Sequence, residues 1–353
     1  SEVRSLTKKP KGESVDPVTS AKAHPVFYGS VPSMFGMPIS ETPAELANFD
    51  IAYLGIPWSA PPSAGRAASI AQFAGTGLTP NSMRTISGKY GGYLRELDLD
   101  VFERFAFSDF GNVDVAFDVK KSWANIEEKM GHIVAAGCMA FTMGGNGGGA
   151  SFPVLKAIAA ATPGKVAVVN FDAHGDNYIE TEEERFSKRN PRWGSSWARR
   201  ILADIPNVDP ALYTHVGLRG PRNDSGVKQR FYDLGVPREN ILTYAHIKAS
   251  RRKPLEDLGK DIAARTAGAD KVWIAVDPDV LDMSVSPQFG DEPLGISVDE
   301  FVAITYEVGR AAGRDRFAGI AFMATFFFFN YMEWIEIYAA LYAFAGVMAS
   351  ELD

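Results

Sequence analysis

KVAVVNFDAHGD, residues 165–176, sets a nearly unbroken apolar run directly against three side chains that bind metals, Asp172, His174 and Asp176. KVWIAVDPDVLD, residues 271–282, repeats the design with Asp277, Asp279 and Asp282. A strand that is apolar on both faces belongs inside a parallel sheet covered on each side by helices. Shorter runs of the same kind lie to either side: FDIAYLGIP (49–57), AFTMGG (140–145) and LYTHVGLRG (212–220). Helical patterns fill the intervals, over 119–136 and 254–267, and a helix is expected to begin near Asn81. Strand and helix thus alternate for roughly 300 residues without an internal repeat or linker, which predicts one large α/β domain over 49–353. Residues 1–48, rich in Pro, Ser, Lys and Gly, have little periodicity and are expected to form an arm outside the core.

Composition narrows the function classes. The chain has 353 residues, 36 Lys+Arg against 43 Asp+Glu and a net charge of −7. That balance gives no electrostatic reason to bind nucleic acid or an anionic membrane. The single cysteine, Cys138, can form no internal disulfide and no thiolate zinc cage. With a polar start and no apolar leader, the expected location is the cytoplasm. FAGIAFMATFFFFNYM (317–332) is apolar but shorter than a bilayer span, and Arg316 and Glu333 bracket it. A buried strand running into a helix near Met332 is the expectation there.

The carboxyl ends of parallel strands are where such folds place their chemistry. Paired acids with one imidazole suit Mn²⁺, Ni²⁺ or Fe²⁺, which accept oxygen and nitrogen ligands. One carboxylate from each strand is able to bridge two ions and hold a hydroxide between them. The competing role for such aspartates is capping of neighbouring helices. Two acid clusters at two apolar strand ends favour a metal site.

DAHGD and VDPDVLD, in this order and about 100 residues apart, resemble the ureohydrolases, the family of arginase and agmatinase. YLGIPW followed by PNSMRTIS, DFGNVDV (109–115), VGLRG (216–220) and GISVDEF (295–301) resemble further landmarks of that family. The resemblance implies a three-layer α/β/α sandwich on a mainly parallel sheet, assembled as trimers or hexamers. It also implies a dinuclear Mn²⁺ or Ni²⁺ centre that directs hydroxide at a guanidinium carbon and releases urea. Carried over residue by residue, the metal candidates are Asp172, His174, Asp176, Asp277 and Asp279, with Asp282 behind them.

Three departures bear on separate steps. The family's first metal motif, Gly-Gly-Asp-His-Ser, reads Gly144-Gly145-Asn146-Gly147-Gly148 here, so Gly147 stands at a ligand histidine's position. Trp193 falls near the position of a proton-shuttling histidine, a general acid–base worth about 10²–10⁴-fold. Ala321 and Ala324 replace two acids on a later strand, the second of which grips the guanidinium group in relatives. His24, His132, His215 and His246 lack acids at ligand spacing and are read as structural. Glu333 and Glu336, three residues apart, are read as a solvated or interfacial helix face, and the Phe326–Phe329 run as core or interface packing.

The resemblance therefore implies a degenerate subunit, similar to the inactive chain of heteromeric guanidine or biguanide hydrolases of the metformin type. It would have no intact catalytic set and carry one Ni²⁺ or Mn²⁺ at a residual site, or none. The partner implied is an active paralogue with the complete dinuclear centre, in a hetero-oligomer. The alternative is a self-sufficient guanidine or amidine hydrolase whose pocket has been rebuilt with apolar residues.

Overall fold

Along the central strands, successive side chains enter two different cores. Ile51 and Tyr53 lie in one, Ala52 and Leu54 in the other; Val169 and Phe171 face the first, Val166 and Val168 the second. This is the period-two alternation of a pleated strand with both faces covered. The computed structural model describes residues 27–28, 31–58, 76–116, 118–145, 148–181, 194–285, 292–325 and 332–352.

The principal sheet is built from β1 (Ile51–Gly55), β2 (Phe107–Asn112), β3 (Met139–Met143) and β4 (Val166–Phe171). It continues with β5 (Val208–Leu218), β6 (Ile241–Thr243), β7 (Lys271–Val276) and β8 (Phe317–Phe322). Its order is β6-β5-β4-β7-β8-β3-β1-β2, and each pairing is parallel. On one face pack α1 (Thr79–Ser87), α5 (Leu255–Ala264), α6 (Val298–Arg316) and α7 (Glu333–Ala349). On the other lie α2 (Val119–Ala135), α3 (Ser151–Ala160) and α4 (Trp197–Asp204). The three-layer sandwich expected from the sequence is present. Among the described residues, no helix is long and apolar enough to cross a membrane.

The start of the chain requires a correction. Met34, Phe35 and Met37 are buried in the first core and Leu46 in the second. Ile39 forms a parallel bridge to Asp109 beside β2, and the Ser40 N–H donates to the Asp109 carbonyl at 2.9 Å. Residues 34–46 are therefore part of the packed body. Their apolar residues are scattered among Pro and Ser and show no period, which is why composition reads them as an arm.

Candidate metal centre

Register places the acids. Phe171 on β4 lies opposite Val276 on β7, so the next residues, Asp172 and Asp277, leave two adjacent strands at the same level. The Asp277 N–H donates to the Phe171 carbonyl (2.8 Å) and the Asp172 N–H to the Val216 carbonyl (3.0 Å), extending the sheet's ladder to the rim. Beyond that level the chain turns, and its amides are satisfied by the acids themselves. His174 N–H donates to Asp172 Oδ1 at 2.6 Å, Ala173 N–H to Asp279 Oδ1 at 2.9 Å, and Asp279 N–H to Asp277 Oδ1 at 3.1 Å.

This folding brings Asp172, His174 and Asp279 together, with one ligand atom of each lying within 4.8 Å of the others. His174 turns Nδ1 inward, 2.8 Å from Asp279 Oδ2 and 3.8 Å from Asp172 Oδ1. Asp172 Oδ2 is buried and has no hydrogen-bond partner. An orphaned carboxylate oxygen beside an inward imidazole nitrogen fits one divalent ion with mixed oxygen and nitrogen ligands. Asp176 and Asp277 stand nearby and push the Asp172 proton affinity up, but neither joins that three-residue group.

The electrostatics follow from crowding. Burial, then the charges of Asp279, Asp176 and Asp277, raise the Asp172 carboxyl well above the ordinary range. Burial also raises Asp176, to about 7, against the opposing pull of His174 and Arg222. Burial alone would lower the His174 imidazole, but Asp279 and Asp176 outweigh it and lift it to about 9. Burial likewise opposes ionisation of Asp279, yet His174, the Ala173 N–H and Arg219 hold it down at about 2. Without a metal, then, the charge is carried by a His174–Asp279 ion pair.

A second ring of residues fixes these positions. His215 is buried with Nε2 3.0 Å from the Asp172 carbonyl, and burial pushes it down to about 4. It is a neutral imidazole donating from Nε2, a supporting role in accord with the structural reading. Arg219 donates to the carbonyls of Asp279 (2.6 Å), Leu281 (3.1 Å) and Glu292 (3.0 Å), clamping the loop after β7. Asp282 points away, accepting from the Ser284 N–H at 3.0 Å. Glu292, which the sequence motifs do not include, is buried, and its Oε1 lies 3.5 Å from His174 Nε2. No motif marks it, since the contact is made across a loop. A cavity of about 300 Å³ opens over His174 and Asp176 and is bordered by Tyr178, Arg222 and Arg230.

The neighbouring strand ends look different. Gly144, with φ +125°, follows β3 so closely that a Cβ there would lie 2.2 Å from the Ile56 carbonyl oxygen. At Gly148 a Cβ would fall 1.8 Å from the ring of Trp197, the fully buried first residue of α4. The same indole adjoins Asp176, whose ionised form it favours, and its Nε1 completes no hydrogen bond. Ala321 and Ala324 are buried on and just after β8. Gly147, Trp193 and Phe326–Phe329 lie outside the described residues, as does His24.

The sequence matches the arginase family over residues 49–318. The chain belongs to the arginase family. Among curated relatives it is 30% identical to agmatinase of Bacillus subtilis (strain 168), over 67% of this chain and 73% of that protein. It is 24% identical to guanidinobutyrase of Pseudomonas aeruginosa, over 76% and 77%. Among solved structures, formimidoylglutamase from Bacillus subtilis superposes with a TM-score of 0.73 at 21% identity, covering 94% of this chain and 99% of that one. For this arginase-family chain, DFGNVDV takes on a scaffold role. Asp109 is wholly buried and pairs with Arg84 through two contacts, of 2.7 and 2.9 Å.

Proposed function

We propose that this chain is a catalytically degenerate arginase-family subunit. It supports an active paralogue that hydrolyses a C–N bond of a guanidine or biguanide, of the metformin type, with release of urea. The observation that carries this reading is the Trp197 ring, packed onto Gly148 and adjoining Asp176. The indole packs against the loop after β3, from which a second ion would need a ligand.

The remaining residues fit one ion. Asp172, His174 and Asp279 would hold it, and a bound Mn²⁺ or Ni²⁺ would supply Lewis acidity to whatever reached the cavity above. Ala321 and Ala324 offer no carboxylate to orient a cationic substrate, so positioning is lost as well. What is kept is the sheet, its two cores and the loop clamps, the frame on which surface contacts with another subunit would be carried. We assign to the chain a place in a trimeric or hexameric hetero-oligomer whose active member carries the complete dinuclear centre.

The test is reconstitution. The purified chain, supplied with Mn²⁺ or Ni²⁺, should release no urea from arginine, agmatine, guanidine or a biguanide. Co-expression with the paralogue should yield one complex whose activity needs both chains. Steady urea release by this chain alone would overturn the proposal in favour of a self-sufficient hydrolase.

A further inference from the structure

Glu333 and Glu336, expected to lie on a solvated or interfacial face, are both fully buried. They are the first and fourth residues of α7 and so project from one side of the helix, against α1 and the end of β8. The Thr325 hydroxyl donates to Glu336 Oε1. The Thr325 carbonyl accepts from Thr79 Oγ1 at 2.6 Å, which ties the start of α1 to the same spot. Glu336 Oε2 and both carboxylate oxygens of Glu333 have no hydrogen-bond partner. The Ser82 hydroxyl beside Glu333 favours its charged form without completing a bond.

No basic side chain among the described residues pairs with either acid. Tyr53 is close enough to feel both charges, but its hydroxyl donates to the Pro80 carbonyl at 2.9 Å. Arg84 lies over the Tyr53 ring and is bound by Asp109, Asn81 and Asn112. Enclosing two carboxylates with three unmet oxygens is costly. Protonating both would remove the charge, yet leave the new Glu333 O–H donor with no acceptor. A cation held between the two side chains would give these oxygens a partner without adding a donor that needs one.

The available donors are carboxylate and hydroxyl oxygens, with no imidazole or thiol, which is the set preferred by hard cations. Mg²⁺ gives up its waters reluctantly, whereas Ca²⁺ accepts roughly six to eight oxygens in irregular arrangements. We propose that Glu333 and Glu336, with the hydroxyls of Thr325 and Ser82, form a buried site for a hard divalent cation of the Ca²⁺ type. It is separate from the Asp172–His174–Asp279 centre and independent of the function proposed above. Its ion joins the first turn of α7 to the end of β8 and to α1.

The experiment is elemental analysis and thermal unfolding of the full chain, with its partner where the two co-purify, after exhaustive dialysis against EGTA and after return of Ca²⁺. About one Ca²⁺ per chain should return and raise the unfolding midpoint, because binding only the folded state stabilises it. Asp279→Asn should keep that ion, while Glu333→Gln and Glu336→Gln should each lose it. Should the glutamine variants not fold, Thr325→Ala should bind Ca²⁺ several-fold more weakly. A wild-type chain that takes up no Ca²⁺ and shows no shift overturns the site, as does unchanged Ca²⁺ binding in Glu333→Gln or, where the glutamine variants do not fold, in Thr325→Ala.

Discussion

The rim of the sheet has two halves that have kept different things. At the ends of β4 and β7, three ligand atoms converge within 4.8 Å, and the backbone amides of the same loops hold the acids in place. At the ends of β3 and β8, Gly144, Gly145, Gly148, Ala321 and Ala324 bring no ligand side chain, and an indole lies over one of the glycines. Yet the strands beneath both halves are equally buried and equally regular. The comparison teaches that rim chemistry and strand packing are separable. Side chains that fill the two cores alternate along the strands, while those that bind ligands begin only where the strands stop.

The largest effect should come from the scaffold beneath the altered half. Arg84 and Asp109 are both wholly buried, so Arg84→Leu leaves the carboxylate with the Met34 and Gly111 N–H donors but without its counter-charge, and should cost about 3–5 kcal/mol. Urea unfolding measures this, and a variant as stable as the wild type would show that the altered half does not lean on the pair. Next is the contact that closes that half. Gly148→Ser drives a side chain into the Trp197 ring and should cost about 1–3 kcal/mol. Adding Trp197→Ala should make the serine nearly free, and a double-mutant cycle without coupling would remove the indole from its assigned place.

The retained half should reveal itself by titration. His174 is raised from 6.5 to about 9, so in the metal-free chain its ion pair is fully stabilising below pH 6.5 and fades as pH rises through 9. His174→Gln should flatten the loss of stability between those values, an effect on the order of 2 kcal/mol. Thermal unfolding with and without a chelator across this window is the check, and an unchanged slope would mean that His174 is neutral in the fold. The smallest effect has the opposite sign. Ala324 has φ 58°, a left-handed conformation that glycine adopts freely. Ala324→Gly should stabilise the chain by about 1 kcal/mol, and destabilisation would mean that its buried methyl matters more than its backbone.

The sheet and the retained half were legible because their signals are local. Apolar runs stopped by acids mark strand and rim in a single glance along the chain, and the register of β4 against β7 then completes the site. Glu292 was not legible, since only the loop carrying it, folded back under Arg219, brings it to His174. The burial of Glu333 and Glu336 is not legible for a related reason. Their spacing tells which side of α7 they share, but what lies against that side is decided by α1 and β8, far away in the sequence. The buried stretch around Met34–Met37 leaves no mark in the sequence because its apolar residues follow no period.

The contact between α6 and α7 reaches further than packing. A Cβ on Gly309 would lie 2.1 Å from the Ala343 carbonyl oxygen, and one on Gly346 would lie 2.0 Å from that of Tyr306. The two helices therefore meet backbone to backbone, an approach that any larger residue at either position would wedge apart. The sequence match to the arginase family ends at 318, the second residue of β8, before α7 begins. Excising that shared region would strip α6 of its closest neighbour and remove Met34, Phe35 and Met37 from the opposite end of the same core. The segment that the family match covers and the cooperative folding unit are thus not coextensive, because residues on both sides of the match complete the same core.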